Sequence, residues 1–353
     1  MSDSARPKVW VSQPLFDDVV EQLGAHFELV TTTQVTAYSS ADLAARLAPL
    51  DGALVTLNER IGAAEIAAAP QLRAIANVGV GYNNLDIDAL SAAGILASNT
   101  PDVLSETTAD LGFALLMATA RRVTEAERWL RDGQWGQWSF KTMLGADIHG
   151  STLASWAWAG SGRASPGVAR MASACACSIT TAASCRPRPN RRWVRSMSAS
   201  TPCWRSPITW YWCCPTPRPR TTSSMPPRWR RCGPPTATLV NIARGGIVDE
   251  IALADALANG RLAGAGLDVY EGEPRVRPEL LAQHNVVLTP HIGSASLATR
   301  RAMVQLAVDN LIAALGVGAN AGHPPSALNA DAVAAAKRGG ATVGATKTAA
   351  TKR

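Results

Sequence analysis

The chain has 353 residues, a length that is sufficient for a large buried core and for two domains. Its formal net charge of +7 suggests an anionic partner, yet thirteen Arg fall within 154–233, and elsewhere 21 Lys and Arg face 27 Asp and Glu, a net −6. No signal peptide is visible and no apolar run approaches the length of a membrane span, so we expect a cytoplasmic protein without a membrane partner.

Residues 1–100 alternate short apolar runs with stretches of helical pattern. The apolar runs predict strands, and Ser40 and Asp42 suit the start of a helix. This alternation is typical of an α/β layer with a parallel sheet. The predicted strands cover 8–12, 52–57, 72–78 and 95–99, and the predicted helices cover 16–27 and 40–47.

Two glycines follow the third of these strands in the sequence Val78-Gly79-Val80-Gly81. The spacing could be mistaken for a nucleotide-binding loop, but Asn84 occupies the place of a third glycine, and paired glycines alone are a weak signal. Glycines allow backbone N–H groups to approach a ligand closely. A tight turn between a strand and a helix is the alternative interpretation.

The clearest helical pattern covers 105–128 and follows Thr100-Pro101, which we interpret as a hinge. Ser105 and Thr107 offer capping side chains at its start. Beyond it, the loop 133–138 carries two Trp whose exposed rings would suit a homodimer contact. Four apolar residues at helical spacing predict the buried face of this helix: Leu111, Ala114, Leu115 and Ala118.

Residues 154–233 differ in composition from the rest of the chain, since they hold all seven Cys, seven of the eleven Trp and ten Pro. The spacing of Cys175 and Cys177 is too tight for zinc, and no His lies between His149 and His284, so we predict no metal site. Interleaved Arg and Trp are also found on protein surfaces that bind nucleic acids. Here they follow no helical or strand period, so we do not expect nucleic-acid binding.

A shifted reading frame explains this composition best. Because Trp is always TGG and Ala is always GCN, the shifted reading of 156–162 is Gly-x-Gly-x-x-(Gly/Arg/Trp), the form of a dinucleotide-binding fingerprint. The shifted reading of 210–214 is Val-Leu-Val-Leu, a buried strand. We therefore interpret 154–234 as read out of frame, through mutation or sequencing error. The printed chain would then lack the fingerprint glycines, the first helix and the strands of this half of the sheet.

Three short apolar runs near the C-terminus, 239–243, 265–269 and 286–288, predict buried parallel strands. Open α/β sheets place their ligand sites beyond the carboxyl ends of the strands. A cation, two carboxylates and an imidazole would therefore share one edge. Taken singly, each has an ordinary explanation, such as a turn cap for the Asp. The four residues are Arg244, Asp268, Glu273 and His291.

This set suits hydride transfer to or from a 2-oxo or 2-hydroxy acid. Arg244 could hold the carboxylate and polarise the oxygen with its planar guanidinium. His291 could exchange a proton near neutral pH, and Glu273 could orient the imidazole. The hydride itself has to come from a cofactor.

The stretches NIARGGIVDE, LDVYEGEP and LTPHIGS, which end at Glu250, Pro274 and Ser294, resemble the signatures of the D-isomer-specific 2-hydroxyacid dehydrogenases. The similarity is greatest to the glyoxylate, hydroxypyruvate and 2-ketogluconate reductase branch. It implies an α/β fold of two Rossmann-like or flavodoxin-like domains, with parallel sheets and an active-site cleft. It also implies an NAD(P)-dependent oxidoreductase, a homodimer, that interconverts a small 2-oxo acid and its D-2-hydroxy acid.

The resemblance also implies roles for individual residues. Arg244 would bind substrate, Glu273 would pair with His291, and His291 would be the general acid/base. Asp268 would hold the nicotinamide carboxamide. The backbone amides of Val78 and Gly79 would bind the substrate carboxylate. The remaining positions implied to contact the cofactor are Val80, Thr108, Ile242, Ala243, Arg244, His291 and Gly293.

The resemblance divides the chain into a discontinuous substrate domain, 1–100 plus 293–326, and a dinucleotide-binding domain, 101–292. A helix over 298–315 would return the chain to the first domain. Residues 327–353 contain few large apolar residues and predict a flexible basic tail. The cofactor would be NAD or NADP. The shifted codons of 178–183 permit an Arg that could receive a 2′-phosphate, which favours NADP slightly.

Two alternatives to an active enzyme remain open. The chain could be a catalytically inactive member of the family, damaged by the shifted frame. It could also be an Arg-rich binder of anionic polymers, whose binding would depend strongly on salt.

Overall fold

The computed structural model describes residues 6–149, 151–156, 176–177, 208–212 and 237–336. The chain divides into two compact units, and each contains one sheet with helices. The first unit comprises Met1–Val103 with Ser296–Arg353, and the second comprises Leu104–Ala295. The predicted α/β fold with parallel sheets is confirmed.

The first unit contains a five-stranded parallel sheet in the order β2-β1-β3-β4-β5. Its strands are β1 Lys8–Val11, β2 Glu28–Thr31, β3 Gly52–Val55, β4 Ala74–Asn77 and β5 Leu96–Ser98. Its early helices are α1 Asp17–Gly24, α2 Ser40–Leu47, α3 Ala63–Ala67 and α4 Ile87–Ala92. Strand β2 was not predicted from the sequence, because it lies at the sheet edge and its side chains are exposed or half-buried.

Both faces of this sheet are buried, which explains the continuous apolar runs in the sequence. Alternate residues of β1 point to opposite faces: Trp10 joins one apolar cluster, and Val9 and Val11 join the other. The second cluster includes Val308 and Leu311 of the long helix near the C-terminus, residues Leu297–Ala314.

Residues 327–336, which were assigned to the predicted tail, fold against the first unit. Ala327 forms an antiparallel bridge with Ser98 of β5. The Asn329 side chain accepts a hydrogen bond from the Ala97 N–H and donates to the Ile95 carbonyl, and Val333 is buried. This part of the prediction was wrong, because the segment covers the β5 edge through hydrogen bonds and packs its few apolar side chains, Leu328 and Val333, against the unit.

The second unit contains a six-stranded sheet in the order β11-β10-β9-β8-β6-β7, and every neighbouring pair is parallel. The strands are β6 Thr152–Trp156, β7 Ala176–Cys177, β8 Ile208–Trp212, β9 Thr238–Asn241, β10 Gly264–Leu267 and β11 Val286–Leu288. The described helices of this unit are α5 Ser105–Ala120, α6 Val123–Arg131, α7 Glu250–Ala258 and α8 Pro278–Leu281. The long helix of the first unit, Leu297–Ala314, follows them in the chain and is α9.

The expectation that 154–234 would lack the strands of this half-sheet was wrong. The backbone of β8 pairs with β9 from Thr209 opposite Thr238 to Trp212 opposite Asn241, and β6 and β7 extend the sheet. A strand ladder uses backbone groups, and the printed residues ITWYW of β8 are β-branched or aromatic, types that favour strands. Of the predicted fingerprint positions, 156–162, the first ends β6, and the others lie outside the described residues, as does the helix predicted to follow them.

The single helix predicted over 105–128 is two helices, because α5 ends at Ala120 and α6 begins at Val123. Arg122 adopts a left-handed conformation between them, with φ of 54°, and its guanidinium binds Glu125. The Ala146 N–H donates to the carbonyl of Ala120. The predicted buried face also needs correction, since Ala114 is exposed while Leu115 and Leu116 are buried.

Helix α5 lies close to the sheet because β10 presents glycines to it. A Cβ added to Gly264 would lie 2.7 Å from Thr119 Cγ2, and one on Gly266 would lie 3.0 Å from Leu115 Cβ. Among the described residues, no helix combines the length and the apolar character needed to cross a membrane.

Candidate active site

The predicted site residues of the second unit follow the carboxyl ends of three adjacent parallel strands. Arg244 comes after β9, Asp268 and Glu273 come after β10, and His291 comes after β11. These strands run in the same direction and pair in register. The four residues therefore lie on loops at one edge of the sheet, as the sequence predicted.

Glu273 and His291 form a direct pair. Oε2 of Glu273 lies 2.7 Å from Nδ1 of His291, and Oε1 of Glu273 accepts a hydrogen bond from the Tyr270 N–H at 2.8 Å. An ionised carboxylate only accepts hydrogen bonds, so Nδ1 of His291 is the donor. This pairing fixes the ring and leaves Nε2 as the nitrogen that can exchange a proton with a ligand.

Two opposing effects set the pKa of the Glu273 carboxyl. Its partial burial raises the pKa, but the hydrogen bonds from His291 and from the Tyr270 N–H, with the charges of His291 and Arg244, outweigh burial. The result is a pKa below the ordinary value for Glu. Glu273 is therefore ionised at neutral pH and able to orient the imidazole.

Arg244 places a half-buried guanidinium close enough to Glu273 to interact with its charge. Burial lowers the Arg244 pKa, and the charge of Glu273 partly offsets that effect. Arg keeps its charge even when buried, so the group is a fixed cation. The turn that carries it is held by Asn241, whose side chain donates to the Arg244 carbonyl and accepts from the Ala243 N–H. Sequence reasoning did not identify Asn241, although it begins the motif NIARGG.

Gly245 allows the loops after β9 and β10 to touch. A Cβ added at this position would lie 1.8 Å from the Tyr270 oxygen and 2.5 Å from the Glu271 nitrogen. Only glycine fits there without displacing the Tyr270–Glu271 peptide. The contact brings the loop that carries Glu273 against the loop that carries Arg244.

Asp268 holds the loop that carries His291. Its carboxylate, on a residue only 1% exposed, accepts from the Ile292 and Gly293 N–H groups, each at 2.8 Å, and from the Thr289 hydroxyl at 2.6 Å. These bonds stabilise a turn in which His291 has a φ of 53°. The sequence assigned Asp268 only to a cofactor contact, because these acceptor bonds depend on residues more than twenty positions away.

Three predicted cofactor positions of the second unit come together around Gly293. A Cβ added to Gly293 would lie 3.3 Å from Asp268 Oδ2 and 3.3 Å from Thr108 Cγ2. Ile242 and Ala243 are buried directly after β9.

The remaining predicted site residues lie in the first unit, after β4. The Val78 N–H donates to the Val55 carbonyl at 2.7 Å, and the Gly79 N–H donates to the Asn77 carbonyl at 3.0 Å. The carbonyl of Val80 accepts from the Asn99 side chain at 2.8 Å. The two amides predicted to bind a substrate carboxylate thus already donate within the first unit, and their substrate contact stays a prediction.

The order of the second sheet fits a dinucleotide. The chain passes from β6 to β7 on one side and then returns across β6 to β8 on the other, and this reversal is a topological switch point. Ligands of open α/β sheets bind beyond the carboxyl ends of the strands at such a point. Asp268 follows β10 of the same sheet, and Thr108 and Gly293 lie beside it, so the described residues are compatible with a nicotinamide cofactor.

Known proteins are similar to this chain in both sequence and fold. The family model for the D-isomer specific 2-hydroxyacid dehydrogenase, NAD binding domain, matches residues 113–293. A glyoxylate reductase of Thermococcus kodakarensis is 37% identical over 340 residues, which are 95% of this chain and 99% of that protein.

Solved structures give the same picture. An NADPH-dependent glyoxylate/hydroxypyruvate reductase from Sinorhizobium meliloti, in complex with citrate, is 32% identical with a TM-score of 0.71, covering 92% of this chain and 98% of that one. The TT0316 protein from Thermus thermophilus is 33% identical with a TM-score of 0.75, covering 91% of this chain and 99% of that one.

Proposed function

Because this chain belongs to the D-isomer-specific 2-hydroxyacid dehydrogenase family, and so to the NAD(P)-dependent oxidoreductases, we propose that it interconverts glyoxylate, hydroxypyruvate or 2-ketogluconate and the corresponding 2-hydroxy acid, the D isomer where that acid is chiral. The observation that carries this proposal is the 2.7 Å pair of Glu273 and His291, on loops that share a sheet edge with the half-buried Arg244. A small 2-oxo acid offers the carboxylate and the carbonyl oxygen that these groups would bind.

Each residue has a distinct role in the proposed reaction. A bound nicotinamide supplies a hydride for the carbonyl carbon. Arg244 holds the substrate carboxylate and polarises the carbonyl oxygen. His291 donates a proton from Nε2 to that oxygen as it gains negative charge, and Glu273 keeps the ring oriented through Nδ1. His291 then regains its proton from solvent, so one hydride and one proton are consumed per turnover.

We propose that the cofactor is NADP or NAD and that the cluster of Thr108, Asp268 and Gly293 contacts its nicotinamide end. The proximity of these three residues supports this assignment. Val80, Ile242 and Ala243 are proposed cofactor contacts on the family resemblance alone. The same resemblance supports Val78 and Gly79 as substrate contacts.

The test is oxidation of NADPH or NADH by the purified full-length chain in the presence of glyoxylate or hydroxypyruvate. We expect turnover that His291→Asn lowers by about 10²–10⁴-fold, since that is the usual contribution of a general acid. A matched control is His26→Asn on the first unit, for which we expect no change. Turnover by His291→Asn that stays close to that of the wild type would contradict the proposal.

The same assay decides the alternative of a damaged enzyme. Absence of turnover in the printed chain, with turnover in a chain whose 154–234 frame is restored, would support an inactive family member. Absence of turnover in both would refute the proposed function. Retention of the printed chain on DNA that salt abolishes would instead favour the Arg-rich binder.

We further propose that the protein is a homodimer through the surface of α5, α6 and the loop after them. This surface exposes large apolar side chains and contains a groove of about 580 Å³ between the two helices. Exposed apolar patches of this kind are typical of interfaces. Its exposed members are Met117, Val123, Leu130, Trp135, Trp138, Phe140 and Leu144.

Leu130→Glu would place a charge in the proposed interface, so we expect it to convert the dimer to a monomer. Light scattering after size-exclusion chromatography measures the mass directly. Leu281→Glu, an equally drastic change at another exposed Leu of the second unit, is the control and should leave the mass unchanged. A wild-type chain that elutes as a monomer at micromolar concentration would contradict the proposal.

A further inference from the structure

Glu250 places a buried carboxylate outside the proposed catalytic pair. It is the first residue of α7 and is only 3% exposed. Burial raises the pKa of this carboxyl. Its Oε2 lies 3.6 Å from Nε of Arg277, beyond hydrogen-bond distance. Burying a carboxylate is costly unless its contacts compensate, so the contacts of Oε1 indicate its role.

Oε1 of Glu250 accepts the N–H of Glu271. The same peptide packs with its Tyr270 carbonyl on Gly245, where no Cβ would fit. The Tyr270–Glu271 peptide is therefore held on one side by the start of α7 and on the other by the loop after β9. Arg277 adds a further contact, since its Nη2 lies 3.0 Å from Oε2 of Glu271.

The Tyr270–Glu271 peptide lies next to the Tyr270 N–H, the group that binds Glu273 of the proposed catalytic pair. Tyr270 donates its N–H to Oε1 of Glu273, and Oε2 of Glu273 binds Nδ1 of His291. The Tyr270 hydroxyl lies within hydrogen-bond distance of the Thr289 carbonyl, two residues before His291. A rotation of the Tyr270–Glu271 peptide would thus misalign Glu273 and, through it, His291.

We propose that Glu250 is a positioning residue for the Glu273–His291 pair. By accepting the Glu271 N–H, it holds the neighbouring peptide in the orientation that presents the Tyr270 N–H to Glu273. This inference rests on the proposed function, in which the pair carries out acid–base chemistry.

Two conservative variants separate the position of the acceptor from its charge. Glu250→Asp keeps the charge at the start of α7 but withdraws the acceptor by one methylene, whereas Glu250→Gln keeps the acceptor and removes the charge. We expect Glu250→Asp to lower kcat about tenfold with KM changed by less than about twofold, since small displacements of catalytic groups are costly. Glu250→Gln should stay within about twofold of wild type. Asp255→Asn, on an exposed residue of the same helix, is the control.

A second readout does not depend on turnover. The His291 ring signals in NMR spectra of the full-length chain, assigned by their loss in His291→Asn, report the titration of the neighbouring Glu273 carboxyl at acid pH. The hydrogen bond from the Tyr270 N–H lowers the pKa of Glu273. Because Glu250→Asp should weaken this hydrogen bond, we expect it to move the titration of Glu273 to higher pH. Glu250→Gln should leave it in place or move it to lower pH, because a nearby negative charge is lost.

The outcomes distinguish this inference from the proposed function. If neither the printed chain nor the chain with the restored frame shows turnover, the proposed function fails, while the Glu273 titration still tests the role of Glu250. An unchanged titration in Glu250→Asp, or a shift to higher pH in Glu250→Gln instead, would overturn the positioning role. If Glu250→Asp does not fold, Glu250→Thr, which also lacks the reach to Glu271, carries the same expectation.

Discussion

At the scale of single residues, the site combines two charged groups that are partly removed from water. Burial disfavours the charged form of both Arg244 and Glu273, whereas the charge of each residue favours the charged form of the other. Each charge therefore offsets part of the cost of burying the other, and removal of either one exposes the other to more of that cost. The site tolerates this because Glu273 also receives two hydrogen bonds.

The lowered pKa of Glu273 predicts a specific dependence of stability on pH. A carboxyl whose pKa is lower in the folded state stabilises that state above its unfolded pKa, and this contribution is lost as the pH falls through the folded value. We expect the difference in free energy of unfolding between wild type and Glu273→Gln to be largest near neutral pH and to shrink as the pH falls below about 4.3, the ordinary pKa of Glu. Urea unfolding from pH 7 to pH 3 measures it. A difference that stays constant with pH would contradict the prediction.

At the scale of elements, the site is assembled by backbone contacts between loops. Asn241 shapes the turn after β9, Asp268 shapes the turn after β11, and Gly245 allows the loop after β10 to lie on the first of these. The strands only bring the loops to one edge. The relative positions of Arg244, Glu273 and His291 follow from these three contacts.

Gly245→Ala should break this assembly, since its Cβ would overlap the Tyr270 carbonyl. Overpacking against backbone costs typically 1–3 kcal/mol, so we expect a loss of about 2 kcal/mol in the free energy of unfolding together with reduced turnover. Denaturant unfolding and steady-state kinetics measure the two effects. Gly24→Ala is the control: its Cβ would lie 3.6 Å from Leu29, and we expect unchanged or slightly raised stability. Wild-type behaviour of Gly245→Ala would show that the loops do not need this contact.

At the scale of the whole molecule, the stretch 154–234 combines an unusual composition with an ordinary strand order. Its composition favours a shifted frame, while the family match spans it and the backbone of β6, β7 and β8 completes a sheet of dinucleotide-binding order. These observations are compatible, because strand pairing needs only backbone groups, whereas a pyrophosphate needs glycines and the amides at a helix start.

Restoring the frame should therefore improve cofactor binding more than stability. We expect the KM for NADPH or NADH to fall by at least about tenfold, the equivalent of about one charge-assisted hydrogen bond, or roughly 1.4 kcal/mol. Kinetics of the printed and restored chains, with thermal unfolding of both, make the comparison. Equal cofactor KM values would indicate that the printed residues already form a working phosphate site, and the hypothesis of a shifted frame would lose its functional basis.

Local patterns in the sequence were sufficient for the class of fold and for the chemistry of the edge. Apolar runs of three to five residues predicted β9, β10 and β11, and the residues that end or follow them identified Arg244, Asp268, Glu273 and His291, because side-chain type and strand period are local properties. Local patterns were insufficient where long-range contacts decide. They missed the edge strand β2, the left-handed Arg122 between α5 and α6, and the packing of Asn329 on β5.

Only the tertiary structure revealed how the edge is held together. Glu250 and Glu271 are 21 residues apart, and Asp268 and Gly293 are 25 apart, so nothing in either neighbourhood indicates the bond between them. The order of the strands decides these contacts, because it brings loops that are distant along the chain to one side of the sheet. The sequence alone determined which chemical groups reach this edge of the protein, and folding decided which of them touch, since contact depends on backbone paths that no local pattern encodes.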